Sequence, residues 1–157
     1  QLNNETLKQF KLILVGPDDY FYQKLKACVI KKNLQDKIIF YGPANDEQLV
    51  VLYKQAIALI NPSLMEGFGL PGLEAMAVGC PVICSKIEVF EEIYGRAVLY
   101  FNPMNIGDIR QKINKFLTMK EKEKQDLINL GKVQAERYSW KRCAKETAEV
   151  YEDCFNL

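Results

Sequence analysis

The stretch from Asn61 to Ser85 reads NPSLMEGFGLPGLEAMAVGCPVICS, and the rest of the chain can be ordered around it. Just before it runs AIALI (Ala56 to Ile60), apolar throughout, which predicts a strand buried on both faces. A loop, NPSLMEGFGL, comes next. PGLEAMAV then reads as a short helix, with Pro71 at its first position and Gly79 just past its end. That is the usual asymmetry of helix termini. PVICS predicts a second buried strand. The unit is therefore strand, glycine-bearing loop, helix, strand. A helix N-terminus leaves amides unpaired and carries the positive end of the peptide dipole, so the backbone of Gly67, Phe68, Gly69 and Leu70 is suited to an anion. Glu66 precedes these amides and Glu74 lies one turn into the helix. Neither carboxylate can bind a phosphate. Both accept hydrogen bonds from hydroxyl groups, which a sugar or a ribose supplies in pairs.

The same alternation extends in both directions. KLILVG (Lys11 to Gly16) and KIIFYG (Lys37 to Gly42) are short apolar strands ending in glycine. Asp18 or Asp19 caps the helix between them, and Asn45 or Asp46 caps the helix EQLVVLYKQA that leads into AIALI. After PVICS come a short helical piece at Glu88 to Ile93, Gly95, and AVLYF (Ala97 to Phe101) as a fifth strand. The remainder is helical, in three runs, the last capped by Ser139. Five strands alternating with helices predict an α/β fold, a Rossmann-like parallel sheet with helices on its faces. Ligands of such sheets sit outside the carboxyl ends of the strands, where Gly16, Gly42 and Gly67 stand.

Composition narrows the class. A length of 157 residues predicts one domain with one core. A net charge of +1 gives no field to attract nucleic acid or an anionic membrane. No apolar run approaches the roughly 18 residues of a spanning helix, and QLNNETLKQFK lacks the shape of a signal peptide. The five cysteines have no C-x-x-C spacing and are read as reduced core residues of a cytoplasmic protein. The chain has no histidine, so it cannot build a Ser-His-Asp triad, a Cys-His pair or a histidine metal site.

GFGLPG (Gly67 to Gly72) fits the dinucleotide fingerprint G-x-G-x-x-G, since it follows a strand and opens a helix. Three features oppose a nicotinamide enzyme. Six residues, Pro62 among them, separate strand from first glycine. The next strand ends in Ser85 and Lys86 rather than an acid, although Lys86 would suit a 2′-phosphate. Two strand-helix units precede the loop, where the fingerprint normally opens the fold.

PSLMEGFGLPGLEAMAVGCPVICS resembles instead the signature of the retaining glycosyltransferases of family 4, which have the GT-B fold. Two glutamates, Glu66 and Glu74, enclose seven residues that include GFGLP, and EAMA-x-G-x-PVI follows. LVGPDD, IIFYG, FEEIYGRAVLYFNP and YSWKRCAKETAEVY resemble further segments of the family, so the likeness covers nearly the whole chain. It implies that the chain is the nucleotide-sugar-binding, C-terminal half of a GT-B enzyme making a polysaccharide, lipopolysaccharide or glycolipid. The donor would be a UDP-, GDP- or ADP-linked sugar, with no cofactor and no metal. Glu66 would be the catalytic-site carboxylate, on hydroxyls of the donor sugar beside the transferring carbon. The amides of Gly67, Phe68 and Gly69 would contact sugar and diphosphate, with Leu70 at the phosphate or ribose. Glu74 would accept the ribose hydroxyls. Gly42 and Pro43 would border the base.

Two departures stand out: Gly72 replaces a residue that is often bulkier, and Arg96 stands where Asp is common. The family also has a strand before KLILVG whose loop and helix supply an Arg and a Lys to the diphosphate. Lys8 and Lys11 do not match that clamp. The resemblance places it, and the domain that binds a glycan or lipid-linked acceptor, before this chain. A non-catalytic nucleotide- or carbohydrate-binding module is the alternative. Phe68 and Trp140 are read as packing residues, Lys86 as a solvated lysine, and EKEKQD (Glu121 to Asp126) as a solvated helix face.

Overall fold

The computed structural model describes residues 10–155; Lys8 therefore lies outside the described residues. The chain falls into two compact units, residues 1–52 and 53–157. The first unit carries β1 (Leu12–Val15), helix α1 (Tyr20–Lys31), β2 (Ile38–Gly42) and most of α2 (Asp46–Gln55). β1 and β2 pair in parallel, with Leu12 opposite Ile38 and Leu14 opposite Phe40. Asp19 is the cap of α1: its carboxylate accepts the Tyr22 amide at 2.9 Å. Asp18 instead pairs with Lys26 at 3.2 Å. Tyr22 and Val29 give α1 its buried face, and the Tyr22 ring meets Phe40 edge-on at 5.1 Å. Asn45 caps α2 in a reciprocal pair. Its side chain accepts the Gln48 amide at 2.9 Å, and the Gln48 side chain accepts the Asn45 amide at 3.0 Å.

The second unit holds β3 (Leu59–Asn61), α3 (Leu70–Ala77), β4 (Val82–Ser85), α4 (Glu88–Tyr94), β5 (Leu99–Phe101), α5 (Ile106–Thr118), α6 (Glu121–Glu136) and α7 (Trp140–Phe155). Its sheet is parallel, in the order β3-β4-β5. β4 lies in the middle and every residue of it is buried. Alternation along β4 divides the core. Val82 and Cys84 join Leu73, Met76, Phe90 and Tyr94 on one face. Ile83 joins Phe101, Phe116 and Leu127 on the other. Truncating one of the fully buried aromatics here, such as Phe90, costs about 3–5 kcal/mol.

Helix α3 ends in a Schellman turn. Gly79, at φ 82°, donates to Met76, and Cys80 donates to the Ala75 carbonyl at 2.8 Å. Its back is covered by α6, where Gly131 lets the helices approach: a methyl group there would sit 3.1 Å from Met76 Cγ. Among the described residues, no helix is long and apolar enough to cross a membrane.

Parallel pairing and the alternation of strands with helices are as the sequence predicts. Several particulars differ. The strands form two ladders, because alternation fixes the direction of pairing and not which strand lies beside which. The strand expected at Ala56 to Ile60 is shorter, runs from Leu59 to Asn61, and is half-buried because it is the edge of its ladder. Only Cys80 and Cys84 are core thiols; Cys28, Cys143 and Cys154 are free and exposed on helices whose buried faces are narrow or absent. Trp140, expected to pack, is 76% exposed at the start of α7, a helix with no buried residue.

Candidate functional site

β3 ends at Asn61, whose side chain organises the loop between the strand and α3. Asn61 Oδ1 accepts the Ser63 amide at 3.2 Å, closing a local turn after Pro62. The Ser63 hydroxyl lies 2.8 Å from Asn61 Oδ1 and 2.8 Å from Glu66 Oε1. It has one proton to give. Since Asn61 Oδ1 already has the amide as donor, that proton is available to Glu66. The half-buried Glu66 carboxylate is thereby held against the strand end, with its second oxygen left over. Glu66 also lines an open cavity of about 410 Å³, together with Met65, Lys86, Ile87 and Val89. Lys86 is exposed there and pairs with Glu91 at 3.6 Å.

The glycine loop comes next. Gly69 has φ 93° and is the N-cap of α3, with Pro71 in the first turn. Among the described residues, no protein acceptor takes the amides of Gly67, Phe68, Gly69 or Leu70. Gly67, Phe68 and Leu70 are exposed. Unpaired donors at the positive end of a helix, three of the four on exposed residues, can hold an anion at almost no reorganisation cost. The Phe68 side chain is turned aside: its ring packs edge-on against Tyr138 at 5.5 Å. Its ring belongs to the scaffold, and its amide is left without a protein partner among the described residues.

Glu74 is exposed one turn into α3. Tyr53 Oη donates to its Oε2 at 3.4 Å, a long bond. Burial, and then the Glu74 charge, push the Tyr53 phenol up to about 12 from its ordinary value of 10.0, so it stays a donor across the physiological range. Glu66, the amides of Gly67 to Leu70, and Glu74 thus share one end of one sheet. Gly42 and Pro43 belong to the first unit. There Gly42, at φ 88°, closes β2, accepts the Gly16 amide at 3.0 Å and donates to Tyr22 Oη at 2.7 Å. The sequence pattern missed Asn61, Ser63, Tyr53 and Tyr138. Each is an ordinary polar or aromatic residue whose role appears only when its partner is in place.

Residues 1–134 match the sequence pattern of the family described as "Glycosyl transferases group 1". The chain belongs to that family. It is 33% identical over 147 residues to the O-antigen chain mannosyltransferase B of Escherichia coli, covering 94% of this chain and 38% of that protein. The second likeness is to the structure of sucrose-phosphate synthase from Thermosynechococcus elongatus, with a TM-score of 0.84 and 26% identity over 93% of this chain and 39% of that one. A third, to Anabaena HepE in complex with UDP and glucose, has a TM-score of 0.78 at 20% identity and covers 91% of this chain and 40% of that one. The chain therefore spans about two-fifths of the length of each. Membership of the glycosyl transferases, whose pattern covers the G-x-G-x-x-G run at residues 67–72, removes the dinucleotide-binding oxidoreductase from consideration.

Proposed function

We propose that the chain binds the nucleoside-diphosphate sugar of a retaining family 4 glycosyltransferase. One observation carries this: a run of unpaired amides leading into α3, on four residues of which three are exposed, flanked by a carboxylate on each side. The amides take the diphosphate, and Glu74 the ribose diol. Glu66, oriented by Ser63, takes hydroxyls of the sugar beside the carbon that is transferred. As the bond to the sugar breaks, negative charge builds on the leaving diphosphate. Fixed amides at a helix N-terminus stabilise that charge without a bound cation. Gly42 and Pro43 are proposed at the base.

The likeness to an O-antigen mannosyltransferase supports a sugar donor and a glycan or lipid-linked acceptor. The UDP held by HepE supports a nucleoside diphosphate as the leaving group, with GDP and ADP as the alternatives. Five free thiols support a reducing, cytoplasmic setting. The acceptor site and cationic clamp are proposed to come from the part of the relatives that this chain does not span. A thermal-shift screen of UDP-, GDP- and ADP-sugars, followed by calorimetry, tests the donor site. Saturable binding of one nucleoside diphosphate with no response to NAD or NADP is expected. The reverse pattern would overturn the proposal.

A further inference from the structure

Tyr94 lies fully buried at the end of α4, stacked on Phe90 with ring centroids 4.8 Å apart. Packing alone asks for a phenylalanine here. The hydroxyl instead donates to the carbonyl of Gly69, in the glycine loop. The same carbonyl accepts the Gly72 amide at 3.1 Å, so both of its lone pairs are engaged. The Tyr94 ring occupies the space where a side chain at position 72 would begin. A Cβ on Gly72 would fall on the ring, 2.9 Å from Cε1, and a Cβ on Gly69 would meet the hydroxyl and lie 2.7 Å from Phe90 Cε1. The departure at position 72 thus has a physical counterpart: the volume vacated at Gly72 is filled by Tyr94 from the neighbouring helix.

Peptide geometry couples this bond to the next residue. The carbonyl of Gly69 and the N–H of Leu70 belong to one peptide group, and in a trans peptide they point in opposite directions. The chain has no cis bond among the described residues. A carbonyl held inward on Tyr94 therefore holds the Leu70 N–H outward. If this peptide turned over, it would present an oxygen to the anion and bury an amide against a phenol. Burial, with Cys84 and Glu66 adding, pushes the Tyr94 phenol well above its ordinary range, so it is a donor at physiological pH.

We propose that Tyr94 is a positioning residue, which aims the Leu70 amide at the diphosphate by pinning the Gly69 carbonyl, in room that Gly72 provides. The proposal rests on the donor-site reading for its ligand and not for its geometry. Tyr94→Phe keeps the ring and removes the bond. It is expected to weaken nucleoside diphosphate binding roughly three- to ten-fold, the worth of one hydrogen bond, and to leave binding of the bare nucleoside unchanged. Amide hydrogen exchange of Gly72 should accelerate by a similar factor while the amides of β4 keep their wild-type rates. A Gly72 rate equal to wild type overturns the brace. Equal losses for diphosphate and nucleoside overturn the aiming of Leu70. If the wild-type chain binds no nucleoside diphosphate, the donor site is wrong, and the Gly72 rate still decides whether the brace exists. If Tyr94→Phe fails to fold, Tyr94→Leu combined with Gly72→Ala refills the same space without the hydroxyl and is read in the same way.

Discussion

Replacing Glu74 by glutamine removes one charge and one acceptor and keeps the shape of the side chain. Glu74 is exposed, and among the described residues its one protein hydrogen bond is the 3.4 Å contact from Tyr53. The folded state loses little. A surface change of this kind stays within about 0.5 kcal/mol, which for a chain of this length moves the melting temperature by no more than about 2 °C. Binding should respond differently. A carboxylate that accepts hydroxyls of a ribose loses charge-assisted bonds worth about 1–3 kcal/mol, or roughly a 5- to 150-fold rise in Kd. Calorimetry of wild type and Glu74→Gln with GDP, UDP and ADP, paired with a thermal melt of each unliganded protein, separates the two effects. Equal Kd values at equal stability would refute the assignment of Glu74 to the ribose. A fall of many degrees in the melt would refute the claim that it is free of structural duty.

Further outcomes are expected. Gly69→Ala should lose about 1–2 kcal/mol to its left-handed backbone and about 1–3 more to overlap with Tyr94 and Phe90. Gly42→Ala, with an equally positive φ and nothing within 4 Å of the added methyl, should lose only the first part, and comparative melts would show it. A thiol reagent at mild pH should label Cys28, Cys143 and Cys154 in the native chain, and Cys80 and Cys84 only after denaturation; mass spectra with five native adducts would contradict the buried pair. Burial raises the Cys80 thiol to about 11 and the Tyr53 phenol to about 12. Both groups are neutral below their unfolded values, so the fold has its full stability there and loses it as pH climbs through the raised ones. Tyr53→Phe should therefore flatten the stability loss between about pH 10 and 12, measured by denaturant titration. In a protein that joins this chain to an acceptor domain, Glu66→Ala should abolish transfer and leave nucleotide affinity nearly intact, assayed by release of nucleoside diphosphate.

The outline of the site was legible because its parts are backbone features with sequence markers. Gly69 and Pro71 mark the start of α3, Gly79 marks its end, and the two glutamates lie at a fixed spacing around it. Strand direction was legible for the same reason: an apolar run, a helix and another apolar run have few ways to fold. What could not be read is mutual placement. Nothing in FEEIYGRAVLYF says that Tyr94 lies under Gly69, since the contact spans 25 residues and depends on a missing side chain at position 72. Ser63 is one of many loop serines until Asn61 and Glu66 are seen 2.8 Å from its oxygen. Trp140 misled because a large apolar residue is usually buried, yet here it sits on a helix without a buried face.

The scaffold of the loop also has an order in time. Phe68 rests on Tyr138, Met76 on Gly131, and the Gln134 side chain donates to the carbonyl of Ile93. The three supporting residues come from the second half of α6 or just beyond it, about 60–70 residues after the glycine loop. A ribosome adding roughly 5–20 residues per second needs on the order of 4–14 s to cover that distance. During that interval the nascent chain carries the whole motif, both glutamates included, without the helix that backs it. The glycine loop and both glutamates are therefore translated before the helix that supports them.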